Sequence, residues 1–242
     1  MRIDVNCDMG ESFGVYRLGN DAALLACVTS ANIACGFHAG DPLVMEETVR
    51  LAAQAGVRIG AHPGYPDLEG FGRRNMDLTP GEVEALVLYQ VAALAGFARA
   101  AGADLHHVKP HGALYTQAAG SPVLAEAVAR GVRRFSHELV LVGLAGSALV
   151  AAGQAAGLVT WAEGFPEREY NADGSLRSRK QPGAVIHDPA RAADNAWRLA
   201  TTGITLTRDG ENHNLPVDTL CIHGDSPNAL AVAQAVRARL EV

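Results

Sequence analysis

Short apolar runs alternate with segments of helical periodicity along almost the whole chain. After Thr79, apolar residues recur at intervals of three and four positions from Val83 to Ala98, which predicts an amphipathic helix. The short apolar runs are typical of strands in a buried parallel sheet. They cover residues 2–7, 30–35, 57–61, 105–108, 139–144, 158–162 and 218–222.

Residues typical of helix starts and helix ends lie between these runs and support the same alternation. Helix starts are predicted where a capping side chain precedes proline, because the side-chain oxygen accepts from a free N–H and proline suits the first helical position. These pairs are Asp41-Pro42, Thr79-Pro80, Ser121-Pro122, Asp188-Pro189 and Ser226-Pro227. Helix ends are predicted at Gly56, Gly102, Gly157 and Gly203, where glycine can adopt the left-handed conformation of a C-cap.

Strands and helices that alternate from start to finish predict an α/β fold. We expect one domain over residues 1–242, a seven-stranded parallel β/α barrel, and favour it over an open doubly wound sheet, which the sequence leaves possible. Two segments interrupt the alternation. Residues 163–182 are polar and rich in arginine, and we predict a mobile cover over the barrel mouth. Residues 204–217 predict a small hairpin that starts with 204–207.

Composition excludes several classes of protein. The chain has 242 residues, 48% of them hydrophobic, and a net charge of −6, which argues against a disordered chain and against a nucleic-acid or anionic-membrane partner. No G-x-x-x-x-G-K-[ST] motif occurs, so a P-loop is excluded. Four scattered cysteines predict free thiols, and the start of the chain shows no signal peptide, so we expect a cytoplasmic protein. The longest apolar stretch, 139–153, is interrupted by Gly143 and Gly146 and predicts strand, turn and helix rather than a membrane span.

Titratable residues and glycines follow six of the seven predicted strands. In a parallel barrel these positions emerge at one end, the C-terminal mouth, where barrel enzymes carry their active sites. We therefore expect one cavity there, lined by Asp8, Glu11, His38, His62, Lys109, His111, His223 and Asp225. We expect His106 and His137 to be structural or solvated and His213 to lie at the surface. Cys35 and Cys221 are expected to be buried strand residues and not nucleophiles.

Several motifs at these strand ends resemble one known family. They are N-C-D-M-G-E-S-F-G at 6–14, A-N-I-A-C-G-F-H-A-G-D-P at 31–42, G-A-H-P-G-Y-P-D at 60–67, V-K-P-H-G-A-L-Y at 108–115, E-G-F at 163–165 and C-I-H-G-D-S-P at 221–227. In this order they are similar to the LamB/YcsF family, and the resemblance extends from residue 4 to about residue 230. The chain departs slightly at Gly64 and Pro166, where the family pattern favours a small polar and a small residue.

The resemblance implies a function as the A subunit of bacterial ATP-dependent 5-oxoprolinase. That enzyme hydrolyses the lactam 5-oxoproline to L-glutamate and converts ATP to ADP and phosphate, together with subunits B and C. The resemblance also implies a fold like the glycoside hydrolase/deacetylase barrels. ATP, with Mg²⁺ and shared with the partner subunits, is the implied cofactor.

The chemical properties of the residues at the strand ends suggest a role for each of them. The candidate catalytic residues are Asp8, Glu11, His62 and His111, with Asp8, Glu11 or His62 as the base that activates water. The candidates for binding substrate or phosphate are His38, Arg73, Arg74, Lys109, His223 and Asp225, helped by the helix N-termini at Asp41-Pro42 and Ser226-Pro227. Asp8, His62 and His111 also form a candidate set of ligands for a divalent metal at the mouth.

Two other classes of function remain open on the sequence. One is a stand-alone metal-dependent deacetylase or amidohydrolase, which the fold analogy alone suggests. The other is a non-catalytic subunit that binds the lactam and organises its partners. The missing P-loop and the three-subunit make-up implied by the resemblance predict that the isolated chain does not hydrolyse 5-oxoproline.

Overall fold

A closed barrel of seven parallel strands forms the centre of this computed structural model, which describes residues 3–226 and 228–241. The barrel strands are β1 (Asp4–Met9), β2 (Ser30–Ala34), β3 (Arg58–His62), β4 (Leu105–Val108), β5 (Val140–Leu144), β6 (Thr160–Gly164) and β9 (Thr219–His223). They neighbour one another in this order, and β9 closes the ring against β1. The predicted closed barrel is confirmed, and the predicted strand bounds shift by at most two residues.

The helices pack around the outside of the barrel. They are α1 (Asp21–Leu25), α2 (Pro42–Ala55), α3 (Pro80–Ala100), α4 (Gly112–Gly120), α5 (Pro122–Phe135), α6 (Ala148–Ala155), α7 (Pro189–Thr202) and α8 (Ala229–Leu240). Four of them, α2, α3, α5 and α7, begin at the predicted prolines, each with the preceding side chain as N-cap. The prediction at Ser226-Pro227 is wrong in position, because the last helix begins at Ala229 after Asn228. Residue 2, in the first predicted strand, and Pro227 lie outside the described residues.

A small antiparallel hairpin, β7 (Ile204–Leu206) and β8 (Asn212–Asn214), interrupts the alternation as predicted. The apolar stretch 139–153 forms β5, a turn and α6, also as predicted. By length and composition, α3 is apolar enough to cross a membrane. However, its face from Val83 to Ala98 is buried against the barrel and α5. A core helix of a soluble protein can be equally long and apolar, so this is weak evidence for a membrane span.

The two faces of β1 explain where the polar groups lie. Side chains alternate along a strand, so Val5, Cys7 and Met9 point outward into the apolar layer beneath the helices. Asp4 and Asp8 share the opposite, inward face with Asn6, and their side chains hydrogen-bond to other barrel strands. The interior of the barrel is therefore a column of hydrogen-bonded polar side chains that ends at the C-terminal mouth.

Candidate functional site

A buried lysine joins two carboxylates at the mouth of the barrel. Lys109 follows β4, and its Nζ lies 3.0 Å from Oδ1 of Asp8 and 2.9 Å from Oε1 of Glu163. The lysine side chain is 3% exposed and the glutamate side chain 0%, so both charges are compensated within the protein. We call Asp8, Lys109 and Glu163 the carboxylate–lysine centre.

The charge state of this centre follows from its contacts. Burial lowers the pKa of Lys109, but Asp8, Cys221 and Glu163 outweigh that effect and hold the pKa well above its ordinary value. Burial likewise raises the pKa of Asp8, but His62 and Lys109 outweigh it and hold the pKa well below its ordinary value. Asp8 is therefore an ionised carboxylate, and Lys109 is an ammonium.

Hydrogen bonds from the barrel interior orient Asp8. Asn32 Nδ2 donates to Oδ1 of Asp8 at 2.8 Å, and His107 Nε2 lies 2.7 Å from the side-chain oxygen of Asn32. An amide oxygen can only accept, so His107 carries its proton on Nε2. The other oxygen of Asp8, Oδ2, has a looser contact of 3.4 Å with Nε2 of His62. Oδ1 of Asp8 is therefore held by hydrogen bonds, whereas Oδ2 makes only this longer contact.

Three histidines and a glutamate converge beside this centre. Each of Glu11, His38, His62 and His111 offers one ligand atom, and the four atoms lie within 4.8 Å of one another. His62 Nε2 is 3.0 Å from His111 Nδ1, and Oε1 of Glu11 is 3.4 Å from Nε2 of His38 and from Nδ1 of His111. We call these four residues the histidine group; all are buried and could hold a metal ion.

Polar atoms in the histidine group lack hydrogen-bond partners. Oε1 of Glu11 and both ring nitrogens of His38 are buried without one. Burial raises the pKa of Glu11, and the carboxylates Asp8 and Asp225 raise it further. Burial lowers the pKa of His38 and of His111. A carboxyl in this environment either carries a proton or requires a positive partner.

A tight loop after β3 covers the histidine group. Phe71 has a φ of 54°, a left-handed conformation that is strained for a bulky residue, and its ring meets the ring of His111 edge-on at 5.1 Å. Gly72 has a φ of 60°, and a Cβ there would lie 2.7 Å from Cβ of His38. The loop therefore requires glycine at this position to approach the imidazoles.

The remaining predicted residues on this side form a rim. His223 ends β9, and its Nδ1 makes a short hydrogen bond with Glu167 while Phe165 stacks on its ring. Asp225 pairs with Arg73 at 2.6 Å, and the Arg73 side chain is 37% exposed. Asp8, Cys221 and His223 also lie close enough to hold a metal.

Three predicted anion-binding features lie away from the site or are already occupied. Arg74 pairs with Asp67 and Glu69 and is 61% exposed, so it does not join the buried residues. The N–H groups at the start of α2 are not free for an anion, because Oδ1 of Asp41 accepts from Leu43 and Val44. The last helix begins beyond Ser226, as described above.

The structure adds residues that sequence reasoning did not select. Glu163, Glu167 and Asn32 contact predicted site residues, and His107 in turn holds Asn32. Glu163 stands at the end of β6, so the rule that polar strand ends converge could have found it. Asn32 and His107 lie within strands and point into the barrel, and an asparagine or histidine inside a short apolar run carries no such signal.

Fold and site together define a seven-stranded β/α barrel with a buried polar centre at its C-terminal mouth, the arrangement of barrel enzymes. The family model "LamB/YcsF family" matches residues 3–242, so the chain belongs to the LamB/YcsF family.

Named relatives match over nearly the whole chain. A protein of Methylococcus capsulatus, named as the A subunit of 5-oxoprolinase, is 59% identical over 98% of this chain and 92% of its own length. One with the same name from Brevibacillus brevis is 53% identical over 98% and 94%. The crystal structure of a lactam utilization protein from Thermus thermophilus has a TM-score of 0.95 and 49% identity, covering 100% of this chain and 96% of that one.

Proposed function

We propose that this chain is the A subunit of an ATP-dependent 5-oxoprolinase and works as a single β/α barrel domain in the cytoplasm. The observation that carries the proposal is the 59% identity, over nearly the full length of both chains, with a relative of that name. The reaction adds water to the lactam: the carbonyl carbon gains a bond to the water oxygen, the ring C–N bond breaks, and the nitrogen takes a proton.

Asp8 is the residue best suited to activate water. Its Oδ1 is held by Asn32 and Lys109, and its ionised Oδ2 faces the histidine group. A carboxylate that is anchored on one side and less engaged on the other can accept a proton from water at a defined position. Of the candidate bases Asp8, Glu11 and His62, we therefore assign the role to Asp8, with His62 and His111 as its neighbours in the catalytic site.

Arg73 is the cation best placed for the substrate carboxylate. It lies at the rim, with its guanidinium 4.9 Å from the centre of the Phe71 ring and paired to Asp225. A planar guanidinium suits a carboxylate because it can donate two parallel hydrogen bonds. His38 and His223 lie in the wall around this position. Lys109 already contacts the carboxylates of Asp8 and Glu163, so its role is to hold the carboxylate–lysine centre together.

The cations and the helix start predicted to bind the phosphates of ATP are already engaged. Lys109 and Arg74 already pair with carboxylates, Arg73 is assigned to the carboxylate of the substrate, and Asp41 caps the N-terminus of α2. We derive no step on the nucleotide for this chain. We propose instead that ATP and its Mg²⁺ are bound with the partner subunits B and C, which supply the activated lactam.

A metal-dependent amidohydrolase that acts alone is the second candidate function, favoured by the histidine group. The predicted ligand set of Asp8, His62 and His111 belongs to this candidate. An isolated chain that opens 5-oxoproline without ATP would support it, whereas the first proposal expects no reaction from the isolated chain.

Reconstitution tests the proposal directly. This chain, purified with subunits B and C, is expected to form L-glutamate from 5-oxoproline only when ATP is present, and omission of the chain is expected to stop it. Equal glutamate formation with and without this chain would overturn the proposal. A complex carrying Asp8→Ala that assembles and remains fully active would instead identify a non-catalytic, lactam-binding subunit.

A further inference from the structure

Hydrogen bonds to two backbone carbonyls determine the protonation of two imidazoles in the histidine group. Nδ1 of His62 lies 2.6 Å from the carbonyl oxygen of Lys109, and Nε2 of His111 lies 2.8 Å from that of Phe71. A carbonyl oxygen only accepts, so both of these nitrogens carry protons. In the neutral rings the opposite nitrogens, Nε2 of His62 and Nδ1 of His111, therefore carry lone pairs.

These two lone pairs face each other. The distance between Nε2 of His62 and Nδ1 of His111 is 3.0 Å, and their ring planes cross at 88°. The unpartnered oxygen Oε1 of Glu11 lies 3.4 Å from the same nitrogen of His111. Two lone pairs and a carboxyl oxygen at such distances repel one another unless a proton or a metal cation lies between them. Donation of the outer N–H to a backbone carbonyl is also the usual second contact of a metal-bound histidine.

His38 belongs to the same group but cannot share an ion with His111. The two rings are stacked, with centroids 3.7 Å apart and planes within 3° of parallel. An imidazole binds a metal in the plane of its ring, and parallel planes do not meet. The ring of His38 therefore supports the ring of His111 instead of joining it at the ion.

Asp8 is likewise a poorer ligand than Glu11. Its Oδ1 already accepts from Asn32 and Lys109, and the Lys109 ammonium already balances its charge. Glu11 Oε1, in contrast, is buried and has no hydrogen-bond partner.

We propose that Glu11, His62 and His111 bind one divalent transition-metal ion of the zinc class, through Oε1, Nε2 and Nδ1 respectively. Two imidazoles and one carboxylate are a ligand set that zinc enzymes use with the fourth position open to water or substrate. Zinc-to-ligand bonds of about 2.0–2.1 Å place tetrahedral ligands about 3.3 Å apart. The separations of 3.0 and 3.4 Å described above are close to that spacing before any ion is added.

Metal binding can be measured without any assay of turnover, so this inference does not depend on the proposed function. The whole chain is stripped with a chelator and titrated with Zn²⁺ by calorimetry, and Co²⁺ is added as a spectroscopic probe. We expect one ion per chain with micromolar or tighter affinity. The Co²⁺ complex should show visible bands of a nitrogen and oxygen site and no thiolate charge-transfer absorption. Thiolate absorption would place the ion with Cys221 instead and overturn the assignment.

Matched variants distinguish ligands from neighbours. His111→Gln and Glu11→Gln are each expected to weaken Zn²⁺ binding by about 100-fold or more, whereas His38→Gln, equally buried, should weaken it by about tenfold or less. Circular dichroism confirms that each variant is folded. Zn²⁺ binding by the folded wild-type chain that is weaker than millimolar, or an equal loss in His38→Gln and His111→Gln, would overturn the proposal.

Discussion

Lys109 Nζ lies 3.0 Å from Oδ1 of Asp8 inside a site where both side chains are almost completely buried. The ammonium also contacts Glu163 at 2.9 Å, so one cation balances two carboxylates. Removal of one partner from such a group leaves uncompensated charge in a medium that solvates it poorly. The pair is therefore a structural requirement of the centre as well as part of its chemistry.

Lys109→Met should destabilise the folded chain by about 3–5 kcal/mol, because it leaves Asp8 and Glu163 buried together without a cation. Urea denaturation followed by circular dichroism measures the change in free energy of unfolding. Lys180→Met is the matched control, since Lys180 is exposed, and should change stability by less than about 0.5 kcal/mol. Equal stability of the two variants would contradict the buried network.

Asp8→Asn should lower the rate of 5-oxoproline hydrolysis by the reconstituted complex about 100-fold or more, because an amide cannot accept the proton of water. Asp188→Asn is the matched control: Asp188 caps α7, and asparagine caps a helix equally well. The control should retain full activity. If Asp8→Asn hydrolyses 5-oxoproline at nearly the rate of the control, Asp8 is not the base.

His107 should remain neutral well below the pH at which an ordinary histidine is protonated. Burial lowers its pKa to about 3. Because the folded pKa is lower than the unfolded value near 6.5, protons bind preferentially to the unfolded chain, and stability falls as the pH drops from about 6.5 towards 3.

Nitrogen NMR of the His107 ring should show the Nε2–H tautomer at pH 5. His107→Gln should reduce the loss of stability between pH 6.5 and 4 by up to about 1.4 kcal/mol per pH unit, while His137→Gln, at an exposed position, should not. A charged His107 ring at pH 5 would refute this prediction.

Gly60→Ala should be strongly destabilising although alanine is small. A Cβ at Gly60 would overlap Nε2 of His107, the atom that holds Asn32 in place. Thermal unfolding should show the loss, and activity should fall with it. Gly96→Ala, in α3 with nothing within 4 Å of the added atom, should instead leave the chain unchanged or slightly more stable.

The predicted cover begins at residue 163, but residues 163 and 164 belong to β6, so the part expected to move over the mouth is 165–182. In the structure this segment is held by buried contacts: Tyr170 is completely buried, and Arg168 donates to the carbonyl of Arg177 at 2.6 Å. Hydrogen exchange should be faster here than in the barrel strands, and slower once 5-oxoproline and ATP are added to the complex. Protection equal to that of the strands without ligand would show that the segment is a fixed wall.

Local signals in the sequence predict the alternation of strands and helices and the common mouth, whereas closure of the barrel is seen only in the structure. Apolar runs of four to six residues, proline after a capping side chain, and glycine at helix ends each act over a few positions, so the strands could be predicted to within two residues. Residues that follow parallel strands emerge at one end, which brought Asp8, His62, Lys109 and His111 to a common site.

Only the tertiary structure decided which polar groups contact one another. Asn32 and His107 lie within strands, and their inward direction depends on the closure of the barrel. The pairing of Arg74 with Asp67, away from the site, depends on the path of the loop after β3. The tautomers of His62 and His111 depend on two carbonyl oxygens from other segments. These relationships join positions far apart in the chain, and a pattern of neighbouring residues contains no information about such distances.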